Sequence, residues 1–314
     1  MGRVLVTRRL PDGGLDPLVD AGHELDQRDG EWSAADLGEA DAMVCLLIDR
    51  VSGEVLADAP RLRVVGNVAV GYDNVDVAAA TAAGVVVCNT PGVLDETTAD
   101  LAFGLVLAAS RLFSDAERDL RSGRWTGWGI GQYLGQDVHG ATLGVVGYGR
   151  IGRAVARRAT GFGMRVLHHA RHPTDEPGFV ADLDDLVHEA DIVSLHVPLT
   201  DETRHLLDAR RLGLMKPTAV LVNTSRGPVV DEEALAEALE RGTIFAAGID
   251  VYEREPEVHP RLLGAPRAVL LPHVGSGSVA TRTRMARIAS EGVRAVLAGE
   301  RPQNVVNPEV FRRG

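Results

Sequence analysis

The chain of 314 residues is 45% hydrophobic and 25% charged, which is enough for two ordinary domains, each with its own core. Its net charge of −11 opposes general binding to nucleic acid, and its only cysteines, Cys45 and Cys88, lack CxxC spacing, so a reducing compartment is expected rather than a zinc ribbon or disulfide framework. The opening, Met1 to Val6, turns polar at once and no later apolar run is long enough to span a bilayer, which predicts a cytoplasmic protein, neither secreted nor membrane-embedded.

Short β-branched runs alternate with longer Ala/Leu-rich stretches, the pattern of βαβ units and parallel sheets. Candidate strands are Val4 to Thr7, Ala42 to Leu46, Val64 to Asn67 and Val85 to Cys88. Thr97 to Ser122 reads as one long helix, with Ala99, Leu101, Ala102, Leu105, Val106, Ala109 and Leu112 as its apolar face and Thr97 or Thr98 as its cap. A Gly- and Trp-bearing loop from Gly123 to Gly140 follows, and a second alternating series starts at Leu143. The domain change is placed near the long helix. A last helix from about Val279 to Ala298, followed by Pro302 and Pro308, is too short to be a domain and is expected to pack on the first one.

In the second series the strand Thr142 to Val146 runs into Gly147, Tyr148, Gly149, Arg150, Ile151, Gly152 and then into good helix formers. GxGxxG alone is a weak signal, but between a strand and a helix it is a strong one for a dinucleotide. The first glycine permits the turn, the second lets backbone approach the pyrophosphate, and the third allows close helix packing at a positive helix end. The next strand, Met164 to His169, ends in Ala170, Arg171, His172, where an NAD-preferring protein carries a carboxylate for the ribose. Arg171 offers a fork of donors for a 2′-phosphate, so NADP(H) is the preferred cofactor and NAD(H) a possible one. Lys216 is the sole lysine, so arginine here needs motif context, and a plain loop arginine is the bland alternative. His168, His169 and His172 do not converge without further ligands, and no metal is expected.

Three later segments each follow an apolar run: Val222 to Gly227, Gly248 to Pro256, and Leu271 to Ser276. They fall at strand ends, the edge where doubly wound sheets bind ligands. Together with the fingerprint and with Ala69 to Asp76, they resemble the D-isomer-specific 2-hydroxyacid dehydrogenase family over essentially the whole chain, nearest its glyoxylate/hydroxypyruvate reductase branch. The resemblance implies two doubly wound α/β domains with an interdomain active-site cleft: a flavodoxin-like substrate-binding domain over 1–97 plus 285–314, and a Rossmann dinucleotide-binding domain over 98–284. It implies Arg226 as the substrate-carboxylate clamp, Glu255 as the support of the histidine, and His273 as general acid/base. The cofactor would be lined by Tyr148, Gly149, Arg150, Ile151, Gly152, Ala170, Arg171, His172, Val197, Pro198, Thr224, Ser225, Arg226, Asp250, His273 and Gly275, with Asp250 facing the carboxamide. Leu47, the amides of Val70 and Gly71, Arg226 and His273 would surround the substrate.

Those residue types suit the chemistry. Reducing a 2-oxo acid needs hydride at carbon and a proton at oxygen while the neighbouring carboxylate stays fixed. Arginine is permanently charged and bidentate. An imidazole ordinarily titrates near pH 6.5, and a carboxylate beside it favours the protonated form. Glyoxylate and hydroxypyruvate are the expected substrates, although a pocket this small is set by shape. A phosphite-type oxyanion dehydrogenase and a nucleotide-sensing interaction protein are the alternatives, and Glu255 argues against formate. Trp125, Trp128 and Tyr133 on the Gly123 to Gly140 loop suggest a homodimer interface, the alternative being a loop that covers its own core.

Overall fold

The computed structural model describes residues 1–30 and 32–312. It divides into two compact units, Met1–Leu94 with Ser276–Gly314, and Asp95–Gly275.

In the first unit five parallel strands, β1 (Arg3–Val6), β2 (Glu24–Gln27), β3 (Ala42–Cys45), β4 (Val64–Asn67) and β5 (Val86–Cys88), lie in the order β2-β1-β3-β4-β5. Four of them are the apolar runs the sequence marks. The edge strand β2 carries Glu24, Asp26 and Gln27 and is buried on neither face, so it leaves no apolar run to read. The helix Val279–Leu297, capped by Ser278 Oγ accepting from Thr281 N, packs on β3, β4 and β5 of this unit. The chain then returns along β5, where Val306 N donates to Val87 O and the buried Asn307 accepts from Val87 N.

The second unit holds six parallel strands, β6 (Thr142–Val146), β7 (Arg165–His169), β8 (Ile192–Leu195), β9 (Val220–Asn223), β10 (Ala246–Ile249) and β11 (Ala268–Leu270). Their order, β11-β10-β9-β8-β6-β7, reverses at β6. That reversal opens a crevice between the carboxyl ends of β6 and β8, the switch point where such sheets take ligands. Apolar clusters cover both faces, one around Leu186, Leu195, Leu221 and Leu235, the other around Leu105, Leu143, Val155 and Val222.

The single helix expected over Thr97 to Ser122 is two. One spans Asp95–Ser110 and the other Phe113–Arg121, and Leu112 between them takes the left-handed conformation at φ 54°. The cause lies in the returning loop. Gln136 N donates to Ser110 O at 2.8 Å, taking a carbonyl that a continuous helix would use internally, and Gly135 passes so close that a Cβ would lie 2.2 Å from that oxygen. The start also shifts: the helix opens at Asp95, and Thr98 is buried within its first turn rather than capping it. Among the described residues no helix is long and apolar enough to cross a membrane.

Candidate active site

The turn after β6 is shaped by backbone proximity. Gly147 has φ 95°, and a Cβ there would lie 2.6 Å from the His196 carbonyl carbon at the end of β8. At Gly152 a Cβ would meet Gly147 O at 2.2 Å, so the helix Arg150–Thr160 packs directly on the turn. Gly149, its N-cap, has open space where a Cβ would point and no side chain capping the helix. The helix's first amides therefore face outward as an anion site. Tyr148 stacks on the buried His168 of β7 at 3.8 Å, which ties the turn to the strand that leads to Ala170 and the exposed Arg171 and His172. Burial pulls His196 down to about 4, so it stands neutral before Val197 and Pro198. At the end of β9 the Thr224 hydroxyl is buried with no hydrogen-bond partner among the described residues. An open glycine-lined helix end and an orphaned buried hydroxyl on one sheet edge fit a nicotinamide dinucleotide.

The same edge carries the titratable groups. Asn223, the last residue of β9, folds the turn that follows: its side chain accepts from Ser225 N and Ser225 Oγ and donates to Arg226 O at 2.9 Å. Arg226 Nη1 donates back to Ser225 O. Gly227 then lies against the segment after β10, where a Cβ would come 1.8 Å from the Tyr252 carbonyl carbon, so no side chain is tolerated between the arginine turn and the Glu255 loop.

Asp250 is buried, and its two carboxylate oxygens accept from Val274 N at 2.7 Å and Gly275 N at 2.8 Å. Burial pushes this carboxyl up against the pull of those amides and of the His273 charge. The Asp250 carboxylate thus holds the segment after His273. His273 itself has φ 53°, a strained conformation for a side chain, worth about 1 kcal/mol, and its amide donates to Asp250 O.

His273 Nδ1 donates to Glu255 Oε2 at 2.7 Å, and both side chains are about a quarter exposed, at 25% and 24%. Burial tends to raise the Glu255 carboxyl. The His273 hydrogen bond and charge, the Tyr252 amide and the Arg226 charge outweigh it and hold Glu255 below its ordinary value. An ionised carboxylate only accepts, so Nδ1 keeps its proton and Nε2 is the nitrogen left for exchange. Tyr252 joins the two sides, its hydroxyl donating to Leu271 O two residues before His273. Burial and the Asp250, Glu232 and Glu255 carboxylates push that phenol to about 12, so it stays a donor.

In the first unit Leu47 follows β3 and is half-buried. Asn67 and Asn89 donate to the carbonyls of Gly71 and Val70, and Asn74 donates to those of Leu46 and Asp49. With their carbonyls so turned, the amides of Val70 and Gly71 have no acceptor among the described residues. Asn67, Asn89, Asn223 and Tyr252 were not marked as site residues. An asparagine at or just after the end of an apolar run is the signal that marks three of them.

An imidazole with one nitrogen committed to a carboxylate has the other free for proton transfer, and here it stands on the sheet edge where a dinucleotide turn opens. That juxtaposition defines an NAD(P)-dependent oxidoreductase. Residues 103–275 match the model of the D-isomer specific 2-hydroxyacid dehydrogenase, NAD binding domain. A glyoxylate reductase of Thermococcus gammatolerans is 45% identical over 99% of this chain and 97% of its own length. A crystal structure of a Thermus thermophilus protein superposes with a TM-score of 0.92 at 46% identity, covering 97% of this chain and 99% of that one. An NADPH-dependent glyoxylate/hydroxypyruvate reductase from Sinorhizobium meliloti, in complex with NADP and malonate, gives 0.87 at 36% identity over 97% and 96%. The chain belongs to the D-isomer-specific 2-hydroxyacid dehydrogenase family.

Proposed function

We propose that this enzyme uses NADPH, and NADH less well, to reduce glyoxylate or hydroxypyruvate to the D-2-hydroxy acid. The observation that carries the reading is the 2.7 Å His273–Glu255 pair on the edge that also bears Arg226. Bound, the reduced nicotinamide supplies the hydride. Tyr148 to Gly152, Ala170 to His172, Val197, Pro198, Thr224, Ser225, Asp250 and Gly275 hold the dinucleotide. Arg226 fixes the substrate carboxylate and stabilises the charge that grows on the carbonyl oxygen, while His273 Nε2 delivers the proton to that oxygen. Glu255 keeps the imidazole oriented, with Nδ1 committed to the carboxylate and Nε2 left for exchange. Leu47 and the amides of Val70 and Gly71 take part in substrate binding, and the lack of an acceptor for those amides among the described residues supports this role. The similarity to enzymes named glyoxylate reductase and glyoxylate/hydroxypyruvate reductase supports the substrate class.

The preference for NADPH rests on Arg171, exposed just after β7, where the chain reads Ala170, Arg171, His172 rather than carrying a carboxylate. Loss of nicotinamide absorbance with each cofactor and each of glyoxylate, hydroxypyruvate and pyruvate tests the reaction. Tight cofactor binding without oxidation would move the reading to an oxyanion substrate or a nucleotide sensor. Arg171→Ala is expected to weaken NADPH roughly tenfold to a hundredfold, the worth of a charge-assisted contact, with NADH nearly unchanged. Equal losses for both cofactors would sink the 2′-phosphate assignment.

We also infer a homodimer built on the loop before β6, where Trp128 and Ile130 are each 81% exposed and therefore do not cover their own core. Trp128→Glu is expected to halve the mass read by light scattering; a wild-type monomer would end the inference. The unpaired buried cysteines fit a cytoplasmic location.

A further inference from the structure

Between β10 and β11 the chain crosses a loop in which Glu253, Glu255 and Glu257 lie within five residues, close to Asp250. Such a density of negative charge spreads a loop unless something holds it. Within the loop Glu257 N donates to Arg254 O at 2.9 Å, and two further loop amides donate to a carboxylate of another element. Glu232, the first residue of the helix Glu232–Arg241, is only 6% exposed. Its Oε1 accepts from Glu253 N at 2.6 Å and its Oε2 from His259 N at 3.2 Å. One carboxylate thus closes both sides of the turn that carries Glu255. The bond is returned: Glu253 Oε1 accepts from Glu232 N at 2.9 Å. On its other side Glu253 meets His205, whose Nε2 lies 3.2 Å from Oε1.

Ordinary helix needs do not explain Glu232. The cap is already made by Asp231, whose side chain accepts from Ala234 N. An acidic first-turn residue that serves only the helix dipole gains nothing from burial, and burying a carboxylate is unfavourable unless its oxygens are matched. Here they are matched by amides of the loop.

We propose that Glu232 is the positioning residue of this site, fixing the Glu253–His259 loop so that Glu255 meets His273. The proposal rests on the reading of Glu255 and His273 as the proton-transfer pair. Glutamine at 232 keeps the shape but presents one amide nitrogen where an acceptor is needed, so one anchor is lost.

The test is a double-mutant cycle on the full enzyme, Glu232→Gln and Glu255→Gln singly and together, followed as kcat, KM and the pH profile of 2-oxo acid reduction, with NADPH affinity by fluorescence. Glu232→Gln is expected to lower kcat roughly tenfold to a hundredfold and to move the alkaline limb of kcat/KM to lower pH, toward that of Glu255→Gln. NADPH affinity stays within about twofold, and adding Glu232→Gln to Glu255→Gln costs little more, because both act through one contact. A Glu232→Gln enzyme that is less heat-stable but keeps the wild-type pH limb, or losses that multiply in the double variant, would make Glu232 merely structural and overturn the proposal. If Glu232→Gln does not fold, Glu232→Asp, which keeps the charge but retracts it, is expected to give a smaller shift of the same limb, and an unshifted limb there counts against the proposal. Wild-type kinetics in Glu255→Gln would remove the underlying reading itself, and the proposal with it.

Discussion

His273→Ala is expected to lose about 10²- to 10⁴-fold in turnover of a 2-oxo acid while binding NADPH within a few-fold of wild type, the range a positioned general acid contributes. The backbone around position 273 does not depend on the imidazole. Its amide donates to Asp250 O, and the next two amides donate to the Asp250 carboxylate, so the segment stays in place when the ring is removed. Alanine tolerates the left-handed φ of 53° no better than histidine, so backbone strain does not favour the variant. What the substitution removes is the proton at Nε2, and it leaves the partly buried Glu255 carboxylate without its imidazole partner. Residual activity in the direction of reduction is therefore expected to depend less on pH than that of the wild-type enzyme. Steady-state rates across pH, paired with NADPH titrations by fluorescence, check both halves. Undiminished turnover would mean that the proton comes from another group.

Both sheets were readable because parallel buried strands leave dense apolar runs, and β4 of the first and β6 of the second fall where Val64 to Asn67 and Thr142 to Val146 place them. The segments that follow β9, β10 and β11 were legible as strand ends for the same reason, and the structure brings Glu255 and His273, 18 residues apart, into contact. Features that depend on another part of the chain were not legible. The break at Leu112 is imposed by Gln136, more than twenty residues away, on a stretch whose own periodicity is helical throughout. The strand β2 sits at a sheet edge and needs no apolar face. Glu232 looks like any acidic residue opening a helix; only the fold reveals that its carboxylate is buried against the amides of Glu253 and His259. Tyr252 likewise reads as part of a motif, whereas its hydroxyl on Leu271 O is a tertiary contact.

Arg226→Gln is expected to reduce kcat/KM for glyoxylate by about 10³-fold, divided between a higher KM and a lower kcat, because a clamp on the substrate carboxylate that also faces the developing oxyanion acts in both the ground and transition states. Arg226→Lys should recover only part of the loss, since an ammonium cannot make the paired contacts of a guanidinium fork. The turn itself should survive either change: Asn223 holds the Arg226 carbonyl rather than its side chain, and Gly227 keeps its close approach to Tyr252. Cofactor affinity should then move little. Arg226 also helps to hold the Glu255 carboxyl below its ordinary value, after the His273 contact and the Tyr252 amide. A carboxyl so depressed contributes stability that is present above its unfolded value and lost as pH falls through its folded one. Without Arg226 the folded value rises toward the ordinary range, so in Arg226→Gln this loss is expected to be smaller and to be complete at a higher pH than in wild type. Urea midpoints measured from neutral to acidic pH read that shift independently of turnover. A glyoxylate KM and kcat unchanged in Arg226→Gln would remove the arginine from substrate binding, and an unchanged acid dependence would show that His273 and Tyr252 alone hold Glu255 ionised.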